Sequence, residues 1–234
     1  MQIVKRIFKP IIYFIFRIGA SFKTSFFSNF FIAAGYFIKA EYEFNKTNAI
    51  EYKEDRFKFH DLLSTQFISI DEKLHYFEFG VRWGQIINKW ALNNNNKDSF
   101  FAGFDTFTGI PEDWGNVKKG SFSNEGNVPT PADDRVKFYI GLVQDTLPGY
   151  LSKIDTNAKM VIHLDFDIYN ATLFALLQLM PYIKKGDVII LDEYFSVTKN
   201  HHEYRAFHDY LSIHKVNYIP KYKCRGGQYA IEIS

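Results

Sequence analysis

From residue 74 onward, short apolar runs alternate with stretches of helical periodicity, and most of the apolar runs close on glycine or an acid. Tyr76–Phe79 is apolar apart from Glu78 and leads into Gly80-Val81-Arg82-Trp83-Gly84, after which a helix is expected through Leu92. Phe100–Phe104 ends at Asp105, Val136–Ile140 at Gly141, Met160–Leu164 at Asp165 and Val188–Leu191 at Asp192. Apolar runs of this length, bounded by turn signals, predict strands buried on both faces. Leu173, Leu176, Leu177 and Met180 predict a helix over Thr172–Tyr182, and a second is expected over Glu203–Ile213. Tyr218–Ile219 and Tyr229–Ile233 flank Gly226-Gly227 as a closing hairpin does, and Asn93–Asn96 reads as a loop. Strand–helix alternation of this kind predicts an α/β domain built on a mostly parallel sheet with helices on both faces.

The chain ahead of this domain is patterned differently. Glu41 to Asp61 is polar and charged, which places a boundary between residues 40 and 70 and divides the chain into an extension, 1–69, and a domain, 70–234. Residues 1–40 carry six Lys or Arg and no acid. Lys5, Lys9 and Arg17 recur at multiples of four with Tyr13 between them, while Ile7, Ile11, Phe14, Ile15, Ile18 and Phe22 fall on another face, and Pro10 starts or kinks the helix. A basic amphipathic helix of this kind lies on an anionic membrane surface, or it packs on the domain or on a second copy of the chain. Both readings stay open, and with them peripheral membrane contact through residues 1–40 and homo-oligomer formation. The longest apolar run near the start, Ile11–Phe16, is far below the ~20 residues of a membrane-spanning helix, and a signal-peptide core is missing.

Composition adds less. The 234 residues suit one well-cored domain plus an extension, and the net charge of +2 makes no case for nucleic acid as a partner. A single cysteine, Cys224, forms no internal disulfide, so a reducing, cytoplasmic location is expected, with the inner membrane face as the alternative.

The acids gather where chemistry is expected. In a parallel sheet the ligand sits beyond the carboxyl ends of the strands, and Glu78, Asp105, Asp165, Asp167, Asp192 and Glu193 all fall at those ends. Gly80 and Gly84 bracket a turn at which backbone approaches a ligand closely; the G-x-G-x-x-G fingerprint is absent, which disfavours a nucleotide-dependent oxidoreductase. Asp105 is placed to accept both hydroxyls of a ribose, or to cap the turn Thr106–Gly109. If the strands before Asp165 and Asp192 are neighbours, their ends lie ~5 Å apart. Carboxylates that close repel unless protonated or metal-bound, and a hard divalent cation such as Mg²⁺ accepts carboxylate oxygens. The alternative is Asp167 as a helix cap and Glu193 exposed.

Several segments then fit one family in order. Phe77-Glu78-Phe79-Gly80-Val81-Arg82-Trp83-Gly84 resembles motif I of class I S-adenosylmethionine-dependent methyltransferases. Gly103-Phe104-Asp105-Thr106-Phe107-Thr108-Gly109-Ile110-Pro111 resembles the GFDSFxGLP signature of the macrocin O-methyltransferase family. Lys119–Phe122, Asp145–Pro148, His163–Tyr169 with Thr172, and Asp192-Glu193-Tyr194 follow in the family's order, so the resemblance spans roughly residues 70–232. It implies a Rossmann-like class I methyltransferase fold, with a mostly parallel seven-stranded sheet, a C-terminal antiparallel hairpin and here an N-terminal helical extension. It also implies S-adenosylmethionine as cofactor, Mg²⁺ or another divalent cation, and a sugar-type small-molecule acceptor methylated on a hydroxyl. By position, Glu78, Gly80 and Gly84 would line the methionine side of the cofactor, Asp105 the ribose and Asp145 the adenine; Asp165, Asp192 and Glu193 would hold the metal. The loop from Glu112 to Asp134 has no His to serve as base, which leaves Asp165 and His201 as catalytic candidates, with His202 and Glu125 behind them. A catechol-type O-methyltransferase and a non-catalytic, membrane-peripheral binding protein are the competing readings.

Overall fold

The computed structural model describes residues 25–195 and 202–234. Among these, eight strands form one sheet: β1 (Ile50–Tyr52), β2 (Leu74–Phe79), β3 (Phe100–Asp105), β4 (Val136–Ile140), β5 (Lys159–Leu164), β6 (Val188–Leu191), β7 (Tyr218–Cys224) and β8 (Tyr229–Ile233). Their spatial order is β1-β7-β8-β6-β5-β2-β3-β4, and β8 alone runs antiparallel to its neighbours β6 and β7. The helices are α1 (Ser25–Phe44), α2 (Arg56–Gln66), α3 (Gln85–Leu92), α4 (Val143–Tyr150), α5 (Tyr169–Leu179) and α6 (His202–Ile213).

The mostly parallel sheet and the C-terminal antiparallel hairpin are as expected, but the sheet has eight strands rather than seven. The added strand is β1, three residues that pair in parallel with β7, Ile50 with Tyr222 and Tyr52 with Cys224. Residues 50–66, within the polar stretch that the hydrophobic pattern groups with the extension, thus share the sheet and core of residues 70–234. Asp55 starts α2: its side chain accepts hydrogen bonds from the backbone N–H of Phe57 (2.9 Å) and Lys58 (3.1 Å), satisfying two orphan donors of the first turn. The helix then buries Phe59, His60 and Leu63 completely.

Alternation along β2 explains why both faces are covered. His75, Phe77 and Phe79 point one way, with Phe77 and Phe79 in a core beside Phe104, Leu164, Leu191, Leu147 and Leu176; Tyr76 and Glu78 point the other way, Tyr76 in a core with Phe59, Trp90, Phe101 and Ile190. Every residue of β2 and β6 is buried. Helix α5 starts three residues before the expected Thr172 and gives way at Met180–Tyr182 to a 3₁₀ turn holding Pro181, which cannot donate to the helix. The expected amphipathic helix over residues 5–22 lies outside the described residues. Among the described residues no helix is long and apolar enough to cross a membrane.

Candidate active site

The chain leaves β2 for β3 and β4 on one side and returns through β5 and β6 on the other. That reversal opens a crevice beyond the carboxyl ends of β2 and β5. A cleft of about 410 Å³ occupies it, lined by the turn after β2, by Asp105, by Gly141–Gln144, and by Asp165, Asp192 and Glu193. Arg56 and Phe57 of α2 complete the lining.

One wall is made of backbone. Gly80 continues β2 between its two neighbours: its N–H donates to Phe104 O (3.0 Å), while Phe79 O accepts from Asp165 N (2.8 Å). Its φ is +86°, and a Cβ there would lie 1.9 Å from the carbonyl oxygen of Asp165. Only glycine fits, on both counts. Asp105 clamps the turn, with Oδ2 accepting from the N–H of Val81 (2.8 Å) and Arg82 (2.7 Å) and Oδ1 from that of Phe107 (2.7 Å). The rim is strained: Arg82, Phe122 and Asp167, all lining the cleft, hold φ of +50°, +63° and +65°. A left-handed Phe is an outlier that the surrounding structure must over-determine; Arg82 O is fixed by Asn124 Nδ2 at 2.5 Å.

The other wall is made of charge. Leu164 and Leu191 are register partners, so the next residues, Asp165 and Asp192, stand side by side. Arg56 spans them, Nη2 at 2.5 Å from Asp165 Oδ2 and Nη1 at 3.2 Å from Asp192 Oδ2. Burial and the Asp192 carboxylate push Asp165 up to about 7, against the pull of Arg56. Burial works on Asp192 too, but Arg56 and His163 outweigh it and hold Asp192 below the ordinary carboxylate range. Behind the pair, His163 is wholly buried with Nε2 3.6 Å from Asp192 Oδ1 and Nδ1 3.3 Å from the Tyr76 hydroxyl, which donates to Glu78 (3.1 Å). Burial opposes charge on His163, yet Asp192 and Glu78 raise it to about 9. Glu203, also buried, takes the Glu193 N–H on Oε2 (2.8 Å); burial and Asp192 push its carboxyl well above the ordinary range.

Cation chemistry suits this wall. His60, His163 and Asp192 bring one ligand-type atom each within 4.8 Å of one another, two imidazole nitrogens and a carboxylate oxygen. Nε2 of both histidines is buried without a hydrogen-bond partner among the described residues. His60 Nδ1 accepts from Trp90 Nε1 (3.1 Å). Because an indole N–H only donates, the proton of neutral His60 sits on Nε2, and a metal taking that atom must displace it.

Comparison with known proteins agrees with this geometry. A family model described as Macrocin-O-methyltransferase (TylF) matches residues 127–219. The chain is related to the macrocin-O-methyltransferase family. A curated relative, the 8-demethyl-8-(2,3-dimethoxy-alpha-L-rhamnosyl)-tetracenomycin-C 4'-O-methyltransferase of Streptomyces olivaceus, is 44% identical over 62 residues, which is 26% of this chain and 22% of the relative. The match thus spans about a fifth of that protein's length. Among solved structures, the calicheamicin methyltransferase CalS11 superposes with a TM-score of 0.58 at 22% identity, covering 75% of this chain and 77% of the other. The O-methyltransferase NovP gives 0.58 at 20% identity, covering 76% and 78%. The fold is the Rossmann-like class I methyltransferase fold.

Of the residues that resemblance to the macrocin family singles out, Glu78, Gly80, Asp105, Asp165, Asp192 and Glu193 line the cleft. Gly84 stands outside the lining, at the N-cap of α3 with φ +70°. Asp145 is exposed on α4, because Val143 and Leu147 take that helix's buried face, and Gln144 lines the cleft instead. Glu125 is exposed and outside the lining. His202 sits at the start of α6 with Nδ1 3.3 Å from the Tyr169 N–H, and His201 lies outside the described residues. Arg56 and His60 come from the stretch that matches no motif. Asp55 marks a helix start there as an N-cap, but nothing local points from Arg56 to two acids 109 and 136 residues away.

Proposed function

We propose that this chain is an S-adenosylmethionine-dependent O-methyltransferase that acts, with a divalent cation, on a hydroxyl of a sugar or glycosylated small molecule. One observation carries the reading: a glycine-only turn and a paired acid wall face each other across one cleft, at the switch point of a methyltransferase fold. The family match and the rhamnosyl-bearing substrate named for the Streptomyces olivaceus relative support the sugar class.

In this reading Glu78, Gly80 and Asp105 hold the cofactor. Gly80 leaves room for close approach, and Asp105 fixes the turn while lining the cleft. Asp165, Asp192 and Glu193 would hold the cation, and their oxygen chemistry favours a hard ion, Mg²⁺. When bound, the cofactor supplies an electrophilic methyl group and the ion acidifies the acceptor hydroxyl. Asp165, on the cleft wall beside the acceptor side, is our candidate to take the hydroxyl proton. The rim residues Trp83 and Phe122 offer exposed ring surface for a sugar face. We further propose a cytoplasmic location, with peripheral membrane contact through residues 1–40.

Calorimetry with S-adenosylhomocysteine is the first test, followed by mass spectrometry of methyl transfer to a panel of glycosides and nucleotide sugars with and without chelator. Absence of cofactor binding overturns the methyltransferase reading. Transfer to catechols but not to glycosides overturns the sugar assignment.

A further inference from the structure

Arg56 occupies a position of unusual consequence. Its guanidinium bonds one oxygen of each acid on the charged wall, Asp165 Oδ2 and Asp192 Oδ2. Both acids are among those proposed above to hold a divalent ion, and both line the cleft. The Asp192 side chain is only 3% exposed and that of Asp165 15%, so the pair needs a cation to remain ionised together. Arginine keeps its charge at any working pH. The acid pair therefore has a counter-charge without any ion, supplied by a residue of the chain itself.

We propose that Arg56 is the resident cation of this site, and that the guanidinium and a divalent ion are mutually exclusive partners of Asp165 and Asp192. The inference rests on the metal-assisted reading only in naming these acids as the ion's ligands. Two like charges cannot share oxygens that close together, so an ion binds by displacing the guanidinium. The backbone under Arg56 does not move to allow this. It is the first residue of α2, whose next turn is anchored by Phe59, His60 and Leu63, all fully buried, and β1 ahead of it is paired with β7. The exchange is a swing of the side chain, which is 36% exposed on the side of the cleft mouth. Arg56 therefore sets how tightly the site takes an ion, and the acid wall stays folded when the ion is gone. Gln228 Nε2 donates to the second oxygen of Asp192 at 3.3 Å and holds that carboxylate in place while its partner cation changes.

The test is Mn²⁺ binding to the full chain, followed by the paramagnetic resonance signal of free Mn²⁺, in wild type, Arg56→Gln and Arg56→Lys. S-adenosylhomocysteine affinity is measured on the same samples, so that failure of the cofactor reading is seen separately. Arg56→Gln is expected to bind one Mn²⁺ at least tenfold more tightly than wild type, and to gain more thermal stability from it. Adding Asp165→Asn to Arg56→Gln should abolish that gain. Should Arg56→Gln fail to fold, Arg56→Lys, which keeps the charge but not the two-oxygen span, is expected to bind Mn²⁺ several-fold more tightly than wild type. A folded variant whose Mn²⁺ affinity is unchanged, weaker or absent overturns the proposal.

Discussion

The two walls of the cleft are built by different means. On the glycine side, one carboxylate, Asp105, gathers three backbone amides, none more than 24 residues away. On the acid side, the contacts are between side chains separated by 109 and 136 residues, and they depend on where α2 docks. Amides cannot rotate away from a fixed backbone, whereas a guanidinium on a long stem can. The first wall is a rigid mould set by a local motif; the second is a balance of charges that admits more than one partner. In the methyltransferase reading proposed above, the rigid wall faces the cofactor, the ligand that never changes.

The sharpest way to break this division is at the one residue touching both walls. Gly80→Ala places a methyl group on the Asp165 carbonyl and forces a positive φ on a β-carbon. We expect a loss above about 3 kcal/mol in urea denaturation, from overpacking and backbone strain together; a loss under about 1 kcal/mol would show that the walls are not joined there.

Acid titration isolates a group that belongs to neither wall. His75, at the far end of β2, has Nε2 2.5 Å from the Tyr150 hydroxyl and stacks on Phe77. Burial pulls it down to about 4 from 6.5. Between these values the unfolded chain binds the proton and the folded one does not. Its contribution is therefore complete above about pH 6.5 and lost as pH falls toward 4, by up to about 3 kcal/mol. Stability curves measured from pH 7 to pH 4 should lose part of their slope in His75→Gln. An unchanged slope would assign acid sensitivity to groups other than His75.

Asp105→Asn keeps the shape of the glycine wall and removes its charge. A stability loss of about 2 kcal/mol is expected, in the range of hydrogen bonds to ionised acceptors, with weaker S-adenosylhomocysteine binding and unchanged Mn²⁺ affinity. Altered Mn²⁺ affinity would mean that the walls are electrically coupled.

The smallest effect is expected from deleting residues 1–24. Melting temperature and cofactor affinity should stay as in the full chain, while association with anionic liposomes should fall. Loss of cofactor binding by the shortened, folded chain would make that segment part of the site.

How much of this was visible in the residues follows from the same contrast. The strands at 76–79, 100–104, 160–164 and 188–191 are continuous apolar runs because both their faces are covered, and such runs announce themselves. β1 and β7 do not. Ile50 and Glu51 are exposed, and β7 carries Pro220, Lys221 and Lys223 with a bulge between Pro220 and Tyr222 that breaks the alternation. Helix α4 was hidden by Pro148 inside it. Within the site, Gly80, Asp105, Asp165 and Asp192 were legible because each ends or directly follows a strand, and strand ends define the cleft. Arg56 and His60 reach it from a polar stretch, through docking that no local spacing encodes. Asp145 was misleading in the opposite sense: its motif is in place, but helix phase turns it outward.

The parallel pairing of Ile50–Tyr52 with Tyr222–Cys224 has a consequence for the order of events on the ribosome. When that strand emerges, its partner has not been translated, and it must wait for nearly all the rest of the chain. The segment carrying Arg56 follows directly behind it. Contacts between such distant stretches close late, because the intervening loop must first be organised. Until residues 218–224 are made, the strand just ahead of Arg56 therefore lacks its partner in the sheet, and the packing of Phe59 and Leu63 on the domain is what keeps that arginine near the acids.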